Sequence, residues 1–413
     1  MNQNKVLFIG LVWPEPTSSA AGKRILQLVR FFLDCGCEVI FCSAATKSDA
    51  SFCFNSLRLH STTNLKEIPI ELNNSSFNEL IKELNPDIVV YDRFVSEEQF
   101  GWRVSQECPG ALQILDTEDL HFLRSARETA FKKNEKINLY NKTTLREIAS
   151  ILRCDLSLLI SKFEMNLLQN EFAISPKLLH YLPFLENKYQ TWNSRYEKSY
   201  EERKDFVFIG NFLHEPNWQT VLHLKKDSWP KIKKHLPTTK LNIYGAYPTQ
   251  KVWDLHNEKE GFLVHGKAED ALEVLSQARI LLAPLLFGAG QKGKFIEAMQ
   301  VGTPIATTSI GAEAMFDEIL PGIVENDENK FVEKTIELYQ NNEIWAKSQQ
   351  NGFQILEKNF NKDSFEENFK QTIVQLQSEL IQHRNQNFIG QILKSNTVNA
   401  LKYMSLWVEE KNN

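Results

Sequence analysis

The chain has 413 residues, of which 42% are hydrophobic and 24% are charged, and its formal net charge at pH 7 is −5. This composition excludes global disorder, and the length allows two domains of ordinary size, each with its own core. The negative net charge argues against a protein dedicated to nucleic acid, because such a protein needs a basic surface. No apolar run is long enough to span a bilayer, and residues 1–4 lead directly into a strand pattern, so a cytoplasmic protein is expected.

The cysteines predict neither a disulfide framework nor a metal site. All six lie in the first half of the chain: Cys35, Cys37, Cys42, Cys53, Cys108 and Cys154. One glycine separates the first two, a spacing that suits neither a redox pair nor zinc. Buried free thiols in a reducing compartment are the expected state.

The first residues alternate strand and helix patterns. A short apolar strand, Lys5–Gly10 (KVLFIG), precedes a loop and a helical pattern over Gly22–Leu33, and Cys37–Ser43 reads as the next strand. This βαβ order predicts a parallel sheet. Gly22 either begins a plain helix or contacts a ligand from its loop, and the loop alone does not distinguish the two.

A second polar stretch follows strands predicted over Asp87–Tyr91 and Gln113–Leu115. It reads Asp116-Thr117-Glu118-Asp119-Leu120-His121 and lies where open α/β sheets bind ligands. Asp119 and His121 are therefore candidate site residues. The alternative is a helix start that Asp116 or Asp119 caps.

A long helix rich in basic residues is predicted over Leu123–Arg153. A solvated helix face is the usual interpretation, and contact with a phosphate-bearing acceptor or with an anionic membrane surface is the alternative. The basic residues are Arg124, Arg127, Lys132, Lys133, Lys136, Lys142, Arg146 and Arg153.

The second half of the chain predicts a second domain. Residues 188–204 are polar and mark a linker between a domain over 1–187 and one over 205–364. The strand Asp205–Gly210 (DFVFIG) echoes Lys5–Gly10, as expected of two similar domains. Further strands are predicted over Lys240–Gly245 and Gly261–Gly266.

The remaining residues, 365–413, are predicted to be helical. Phe365–Ile381 is an amphipathic helix, and Val398–Val408 reads as an additional helix for packing or self-association.

The most informative stretch runs from Leu281 to Met315 (LLAPLLFGAGQKGKFIEAMQVGTPIATTSIGAEAM). An apolar strand ends in a glycine-bearing turn, a helix over Phe295–Val301 follows, and a strand over Pro304–Thr308 ends near Gly311. Glycines let the backbone approach an anion closely, and the new helix points its free amides and its positive dipole end at the same place.

Two lysines and a glutamate give this turn its predicted chemistry. Two ammonium groups could hold a diphosphate, and a carboxylate one turn into the helix could accept hydrogen bonds from a ribose diol. The predicted donor-binding residues here are Gly288, Gly290, Lys292, Lys294, Glu297 and Gly311. The alternative is an ordinary strand-to-helix turn whose lysines point into water.

The run GAGQKGKFIEAMQVGTPIATTSIGAEAM resembles the donor-binding signature of retaining glycosyltransferases of family 4, which have the fold called GT-B. The resemblance implies an α/β protein with two Rossmann-like βαβ domains that face each other across a cleft. Glu297 matches the second of two glutamates that this family often carries, and would bind the donor ribose. Ala289 stands where the first would be, a departure shared by many members with this turn, so another group would contact the sugar ring.

The resemblance also implies roles elsewhere in the chain. In the first domain, Gly22 would face the donor phosphates, His121 would donate a hydrogen bond to a sugar hydroxyl, and Asp119 would orient the acceptor hydroxyl. In the second domain, Asn211 lies in the loop after the first strand, and His265 ends the strand whose following backbone brackets the base. Phe365–Ile381 would be the helix that returns to the first domain.

Charge neutralisation at the diphosphate would fall to the glycine turn. Many relatives place an Arg and a Lys near Asn211, and this chain has no such pair there, so Lys292 and Lys294 would carry more of the charge. Lys294 is accordingly predicted to act in catalysis by stabilising the leaving group. No Asp-x-Asp pair is present, and neither a metal nor any cofactor other than the donor is expected.

The expected function is retaining transfer of a sugar from a nucleoside diphosphate sugar to a hydroxyl acceptor, as in polysaccharide biosynthesis. The expected partners are this donor and a hydroxyl acceptor, without nucleic acid, and peripheral contact with the inner face of the membrane through residues 123–153 is the additional option. Two alternatives stay open: a nucleotide-sugar epimerase of the same fold, and a non-catalytic transferase-like binding subunit.

Overall fold

The structure, a computed structural model, describes residues 4–49, 51–52, 65–187, 196, 198–395, 407 and 411. Cys53, most of the predicted linker and most of the helix predicted over Val398–Val408 therefore lie outside the described residues. Cys35, Cys42, Cys108 and Cys154 are free thiols, and all of these except Cys35 are buried. Burial raises the pKa of the Cys42 thiol to about 12, so this group is inert at neutral pH.

Seven parallel strands form the first sheet, in the order β3-β2-β1-β4-β5-β6-β7. Phe8 lies opposite Phe41 on one side and Val90 on the other. Helices cover both faces, which is why these strands are almost continuously apolar. The strands are β1 (Lys5–Gly10), β2 (Glu38–Ser43), β3 (Leu65–Pro69), β4 (Ile88–Asp92), β5 (Leu112–Asp116), β6 (Leu156–Leu159) and β7 (Leu179–Tyr181).

Helices connect these strands. They are α1 (Ala20–Asp34), α2 (Ser76–Leu84), α3 (Arg93–Glu107), α4 (His121–Lys133), α5 (Lys142–Arg153) and α6 (Lys162–Glu171), followed by a 3₁₀ turn at Pro176–Leu178. The strand β3 and the helix α3 were not predicted from the sequence. Apart from these two elements, the strands predicted above and the helix predicted over Gly22–Leu33 agree with the structure to within two residues at either end, which is the usual uncertainty of such boundaries.

Six parallel strands form the second sheet, in the order β10-β9-β8-β11-β12-β13. Leu281 pairs with Ile305 and with Val207, so the strand that precedes the glycine turn is central. The strands are β8 (Lys204–Ile209), β9 (Leu241–Tyr244), β10 (Phe262–Gly266), β11 (Ala278–Ala283), β12 (Ile305–Thr307) and β13 (Gly322–Val324).

The second sheet is also covered by helices, and three more follow it. These helices are α7 (Glu215–His223), α8 (Trp229–His235), α9 (Gln250–Trp253), α10 (Ala271–Gln277), α11 (Gly293–Gln300), α12 (Ser309–Ala312), α13 (Glu328–Gln340), α14 (Asn342–Asn359), α15 (Glu366–Ser378), α16 (Leu380–Gln386) and α17 (Phe388–Ser395). A π-helical turn, Leu224–Ser228, joins α7 to α8. None of the described helices has both the length and the apolar character that crossing a bilayer requires.

Both sheets reverse their strand order at one point. In the first sheet the chain runs outward from β1 to β3 and then returns to β4, and in the second it runs from β8 to β10 and returns to β11. The loops after the strands on either side of such a switch point diverge and leave a crevice at the carboxyl edge. This topology matches the predicted fold class, two Rossmann-like α/β domains.

The helix predicted over Leu123–Arg153 is wrong as a single element, because the chain breaks between α4 and α5. Asn134 ends α4 in the left-handed conformation (φ 53°), and the Asn141 side chain caps α5 by accepting from the amides of Thr143 and Thr144. Both are residues that favour helix ends.

The first amides of α4 are not capped in the way that the sequence analysis gave as the alternative. Neither Asp116 nor Asp119 caps it. Instead, the Glu147 carboxylate on α5 accepts from the amides of His121 (3.1 Å) and Phe122 (2.9 Å). The side chain of Asp119 is thereby left to point into the cleft described below.

The helix α15 returns to the first domain. Phe369, Ile373 and Leu376 are buried in the apolar cluster beneath α1, and the ring of Phe369 lies 4.8 Å from that of Phe31. Farther on, the Arg384 guanidinium pairs with both oxygens of Asp155 (2.8 and 2.7 Å). The end of the chain therefore connects the second half to the first.

Truncation of Phe369 tests this connection. We expect Phe369→Ala to lower the free energy of unfolding by about 3–5 kcal/mol, because it removes a buried ring and leaves a cavity. Urea denaturation followed by far-UV circular dichroism measures the change. The matched control is Val374→Ala on the same helix, whose side chain is 46% exposed. Equal losses in the two variants would contradict the packing described here.

Candidate active site in the interdomain cleft

A cleft of about 920 Å³ lies between the carboxyl edges of the two sheets. This volume is within the range of small-molecule sites. Loops after β1, β4 and β5 line one side, and loops after β8, β9 and β11 line the other. The lining includes these predicted residues: Gly22, Asp119, His121, Asn211, Gly288, Lys292, Lys294 and Glu297.

Three predicted positions do not lie on this lining. The ring of His265 stacks on Tyr244, and its Nε2 lies 2.9 Å from Asn242 Oδ1. Gly311 packs against β12, where a Cβ would lie 1.9 Å from Thr307 Oγ1, so glycine is needed for helix packing. Gly290 lies just behind the lining. His265 and Gly311 therefore contact neighbouring side chains of the second domain and do not line the cleft.

The N-termini of two helices meet across the cleft. The Ser19 side chain caps α1 by accepting from the amide of Gly22 (3.0 Å). Gly293 is the first residue of α11, and a Cβ there would lie 2.8 Å from the Cβ of Ala20 at the start of α1. Each helix N-terminus carries partial positive charge and free amides. Two of them at one point favour a ligand with concentrated negative charge, such as a diphosphate.

The lysines of the glycine turn lie beside these helix ends; Lys292 is buried and Lys294 is half-buried. Lys294 Nζ donates to Asn217 Oδ1 (2.5 Å) and lies 4.3 Å from the ring centroid of Phe208. Burial, together with Lys292, lowers the pKa of Lys294 to about 7. Burial likewise lowers the pKa of Lys292 to about 8, although Glu313 opposes this shift. Neither ammonium group forms a salt bridge with a described carboxylate. The alternative in which these lysines point into water does not hold.

Glu297 accepts a hydrogen bond from Lys23, which reaches across the cleft from α1. A ribose diol would therefore meet a carboxylate that is already held in place. Burial lowers the pKa of Lys23. Sequence reasoning missed Lys23, since nothing in the local pattern of α1 distinguishes it from a solvent-exposed helix lysine.

Asp119 and His121 lie opposite the glycine turn. Arg124 Nη1 donates to Asp119 Oδ1 (2.6 Å), and His121 Nε2 lies 3.6 Å from the same oxygen. Although burial opposes it, the charge of Arg124 lowers the pKa of Asp119 to about 2. Burial lowers the pKa of His121 to about 4. At neutral pH the site thus has an ionised carboxylate next to a neutral imidazole that can donate one hydrogen bond.

Two further lining residues were not proposed from the sequence. Arg93 and Glu118 follow the adjacent strands β4 and β5, and both have positive φ (67° and 59°). Such left-handed conformations are uncommon outside glycine and tend to occur at functional sites. Glu118 is 6% exposed, and its Oε1 has no hydrogen-bond partner among the described residues. Burial raises the pKa of Glu118 well above its usual range.

Asn211 links the two sides of the cleft. Its Nδ2 donates to the Ser18 carbonyl (3.2 Å), and its Oδ1 accepts from the amide of Leu213 (2.8 Å). At the same edge, the Tyr247 hydroxyl donates to Glu15 Oε2 (2.6 Å). The cleft is therefore narrowed by direct contacts between the domains.

Solved structures with this architecture are GT-B glycosyltransferases. Sucrose-phosphate synthase of Thermosynechococcus elongatus superposes with a TM-score of 0.70 at 14% identity, covering 90% of this chain and 99% of that one. The structure of Anabaena HepE in complex with UDP and glucose superposes with a TM-score of 0.66 at 11% identity, covering 90% and 100%. At these identities the likeness establishes the fold, which is GT-B.

Sequence comparison finds a family match within the second domain. Residues 203–341 match the family model described as glycosyl transferases group 1. A Klebsiella pneumoniae protein described as an uncharacterized 44.6 kDa protein in the cps region is 25% identical over 188 residues, which cover 43% of this chain and 48% of that protein. The match thus spans about half the length of that relative. Residues 203–341, in the second domain, are therefore similar to the group 1 glycosyltransferases, and family 4 within that group stays a prediction.

The low pKa of Lys294 predicts pH-dependent nucleotide binding. Above pH 7 the free protein progressively loses this ammonium charge, so the affinity for UDP should fall as pH rises, by up to roughly tenfold per pH unit. Calorimetric titration with UDP from pH 7.5 to 9.5 measures the change. Lys294→Arg keeps its charge throughout and should show a shallower dependence, with Lys292 supplying the remainder. An identical pH dependence in the two proteins would contradict this assignment.

Proposed function

We propose that this protein is a retaining glycosyltransferase that moves a sugar from a nucleoside diphosphate sugar to a hydroxyl acceptor without a metal ion. The observation that carries the proposal is the pair of lysines, Lys292 buried and Lys294 half-buried, beside two facing helix N-termini. That arrangement concentrates positive charge where no described carboxylate neutralises it directly. A diphosphate fits it, since two ammonium groups whose charge is disfavoured by burial gain most from an anionic ligand.

The donor proposed for testing first is a uridine diphosphate sugar. The structure of HepE contains UDP and glucose, and that protein shares this fold. On this chain, Glu297 is one turn beyond the lysines on α11, where it can accept from the ribose hydroxyls. Ala289, next to Gly290, offers no carboxylate to the sugar ring, which supports recognition of the ring from the first domain.

The proposed reaction breaks the bond between the sugar C1 and the diphosphate oxygen and forms a bond from C1 to the acceptor oxygen. The acceptor proton passes to the departing phosphate oxygen, so no strong protein base is needed. The developing diphosphate charge is stabilised by the two helix N-termini, Lys292 and Lys294, groups that are already oriented before the bond breaks.

The first domain supplies the groups for the other reactant. The Asp119 carboxylate, ionised and held by Arg124, accepts from the acceptor hydroxyl and orients it. The neutral imidazole of His121 donates to a hydroxyl of the transferred sugar. Contacts across the cleft exclude water, which would otherwise compete with the acceptor. The acceptor class proposed is a glycan hydroxyl, consistent with polysaccharide biosynthesis.

Variants of the donor pocket test the proposal. Lys294→Ala and Glu297→Ala should each weaken UDP binding by roughly tenfold or more, because each removes a charged hydrogen-bonding group. Lys259→Ala, at an exposed position of the second domain, is the control and should bind as the wild type does. The affinities are measured by calorimetry after a thermal-shift screen of nucleotide sugars, in which a bound donor raises the melting temperature.

Analysis of the products after incubation with a nucleotide sugar, with and without an acceptor, separates the remaining functions. A transferase yields a glycosylated acceptor and UDP. An epimerase instead yields an altered nucleotide sugar without any acceptor, and a binding subunit yields no product with any acceptor offered. Unchanged UDP affinity in both alanine variants would reject the proposed pocket.

We also propose peripheral contact of the first domain with the anionic inner face of the membrane. Apart from Lys132, which pairs with Glu128, the basic residues of the predicted long helix divide into two sets. Arg124 lines the cleft, Arg127 pairs with Glu313 of the second domain, and Arg146 and Arg153 pair with Glu98 and Glu97. Around the break between α4 and α5, a second set combines exposed lysines with exposed apolar side chains, as membrane-surface segments do. It comprises Lys133, Lys136, Ile137, Tyr140, Lys142 and Leu145.

Vesicle co-sedimentation tests this contact. The protein should bind vesicles with 30% phosphatidylserine more than neutral phosphatidylcholine vesicles, and the double substitution Ile137→Asp/Leu145→Asp should reduce binding severalfold through lost apolar insertion and added negative charge. Val374→Asp, exposed on α15, is the matched control. Equal binding to both kinds of vesicle would contradict the proposal.

A further inference from the structure

Helix α4 carries two arginines, Arg124 and Arg127, and the second lies almost two turns beyond His121. Arg127 is 8% exposed, and its guanidinium forms a forked pair with Glu313 of the second domain: Nη1 lies 2.7 Å from Oε1 and Nη2 lies 2.8 Å from Oε2. Nη1 also donates to the carbonyl of Gly288 (2.7 Å). One side chain of the first domain therefore binds a carboxylate and the glycine turn of the second at the same time.

The glycine turn touches the first domain at two further points. The Gly290 amide donates to Glu164 Oε1 (2.7 Å), which also accepts from the amide of Leu120 just before α4 (3.3 Å). A Cβ at Gly290 would lie 2.6 Å from the Cβ of Asp119. Ala289, between the two glycines, packs against an apolar cluster of the first domain. The backbone of this turn is thus fixed from outside its own domain.

The segment around Glu313 is also connected to the turn. Lys292 Nζ lies 3.5 Å from the Glu313 carbonyl and 2.7 Å from the Gly290 carbonyl, and Gln291 Nε2 donates to the carbonyl of Ala314 (3.2 Å). A displacement of Glu313 would therefore reach the ammonium group of Lys292 through one further hydrogen bond. Arg127 therefore contacts both the glycine turn, at the Gly288 carbonyl, and the segment that holds Lys292, at the Glu313 carboxylate.

We propose that Arg127 is a positioning residue that holds the glycine turn in its diphosphate-binding shape only while the two domains are in contact. Donor binding in the second domain then depends on closure against the first domain, and water is excluded before the sugar leaves. The forked geometry matters, since a guanidinium can bind a carboxylate and a carbonyl together, whereas an ammonium group satisfies them less well. This inference rests on the proposed transfer function.

The competing explanation is that the Arg127–Glu313 ion pair only joins the two domains, as a clasp, without positioning the glycine turn. Reversing the charges of the pair distinguishes this explanation from a positioning role. In Arg127→Glu/Glu313→Arg the ion pair can form again with opposite polarity. A carboxylate at position 127 has no proton to donate to the Gly288 carbonyl. A clasp would be restored by this exchange, and a positioning role would not.

The experiment measures UDP affinity by calorimetry and, with donor and acceptor, the fraction of donor that is hydrolysed instead of transferred. Arg127→Gln should weaken UDP binding by roughly 5–150-fold, the usual range of coupling between sites, and should raise the hydrolysed fraction. Arg127→Lys, which keeps the charge, should lie between Arg127→Gln and wild type. The charge reversal should restore the melting temperature to the wild-type value but should restore neither the UDP affinity nor the low hydrolysed fraction.

The control is Arg146→Gln, which breaks a forked pair with Glu98 at an exposed site of the same domain and should change neither quantity. Recovery of UDP affinity in the charge reversal, or unchanged affinity in Arg127→Gln, would overturn the inference even if the protein transfers sugar. Absence of transfer by the wild type would instead overturn the proposed function, because the affinity measurement does not require turnover.

Discussion

The proposed chemistry of the cleft depends on two ammonium groups, one buried and one half-buried, that lie beside two helix N-termini. Removing a cation from water costs several kcal/mol unless an opposite charge or good hydrogen bonds compensate. Lys292 and Lys294 have only carbonyl and amide oxygens as direct partners, and their lowered pKa values express this deficit. A diphosphate would supply the missing charge. In the protein without a ligand the charge on these two lysines is unfavourable, and an anionic ligand would remove that cost. This difference would give the site a preference for an anion.

Contact between the domains is the second constraint, and it follows from the first. The cations of the turn stay dry only if the first domain covers them, and that cover is made by specific pairs: Lys23 with Glu297, Arg127 with Glu313 and Glu164 with the Gly290 amide. Glycine at 293 lets the starts of α1 and α11 approach each other. Substrate binding, domain contact and water exclusion are therefore parts of one arrangement.

Local patterns predicted the fold well and the long basic helix over residues 123–153 poorly. The parallel strands are buried on both faces and read as continuous apolar runs, so most were located to within two residues. The break between α4 and α5 was missed because Asn134 and Asn141 lie in a stretch whose charge pattern continues across them. The basic residues of that stretch were taken as one set, although the fold places Arg124 on the cleft lining and pairs Arg127 with Glu313 and Arg146 with Glu98.

The sequence by itself determined the local geometry of the proposed donor-binding residues, because Lys292, Lys294 and Glu297 lie within one turn and one helix, where spacing alone sets their relative positions. It could not determine their partners. Lys23, Arg127 and Glu164 are separated from the groups they meet by 274, 186 and 126 residues, and no periodicity relates positions so far apart. Only the tertiary structure decided those contacts, since they arise when two separately formed sheets turn their carboxyl edges toward each other.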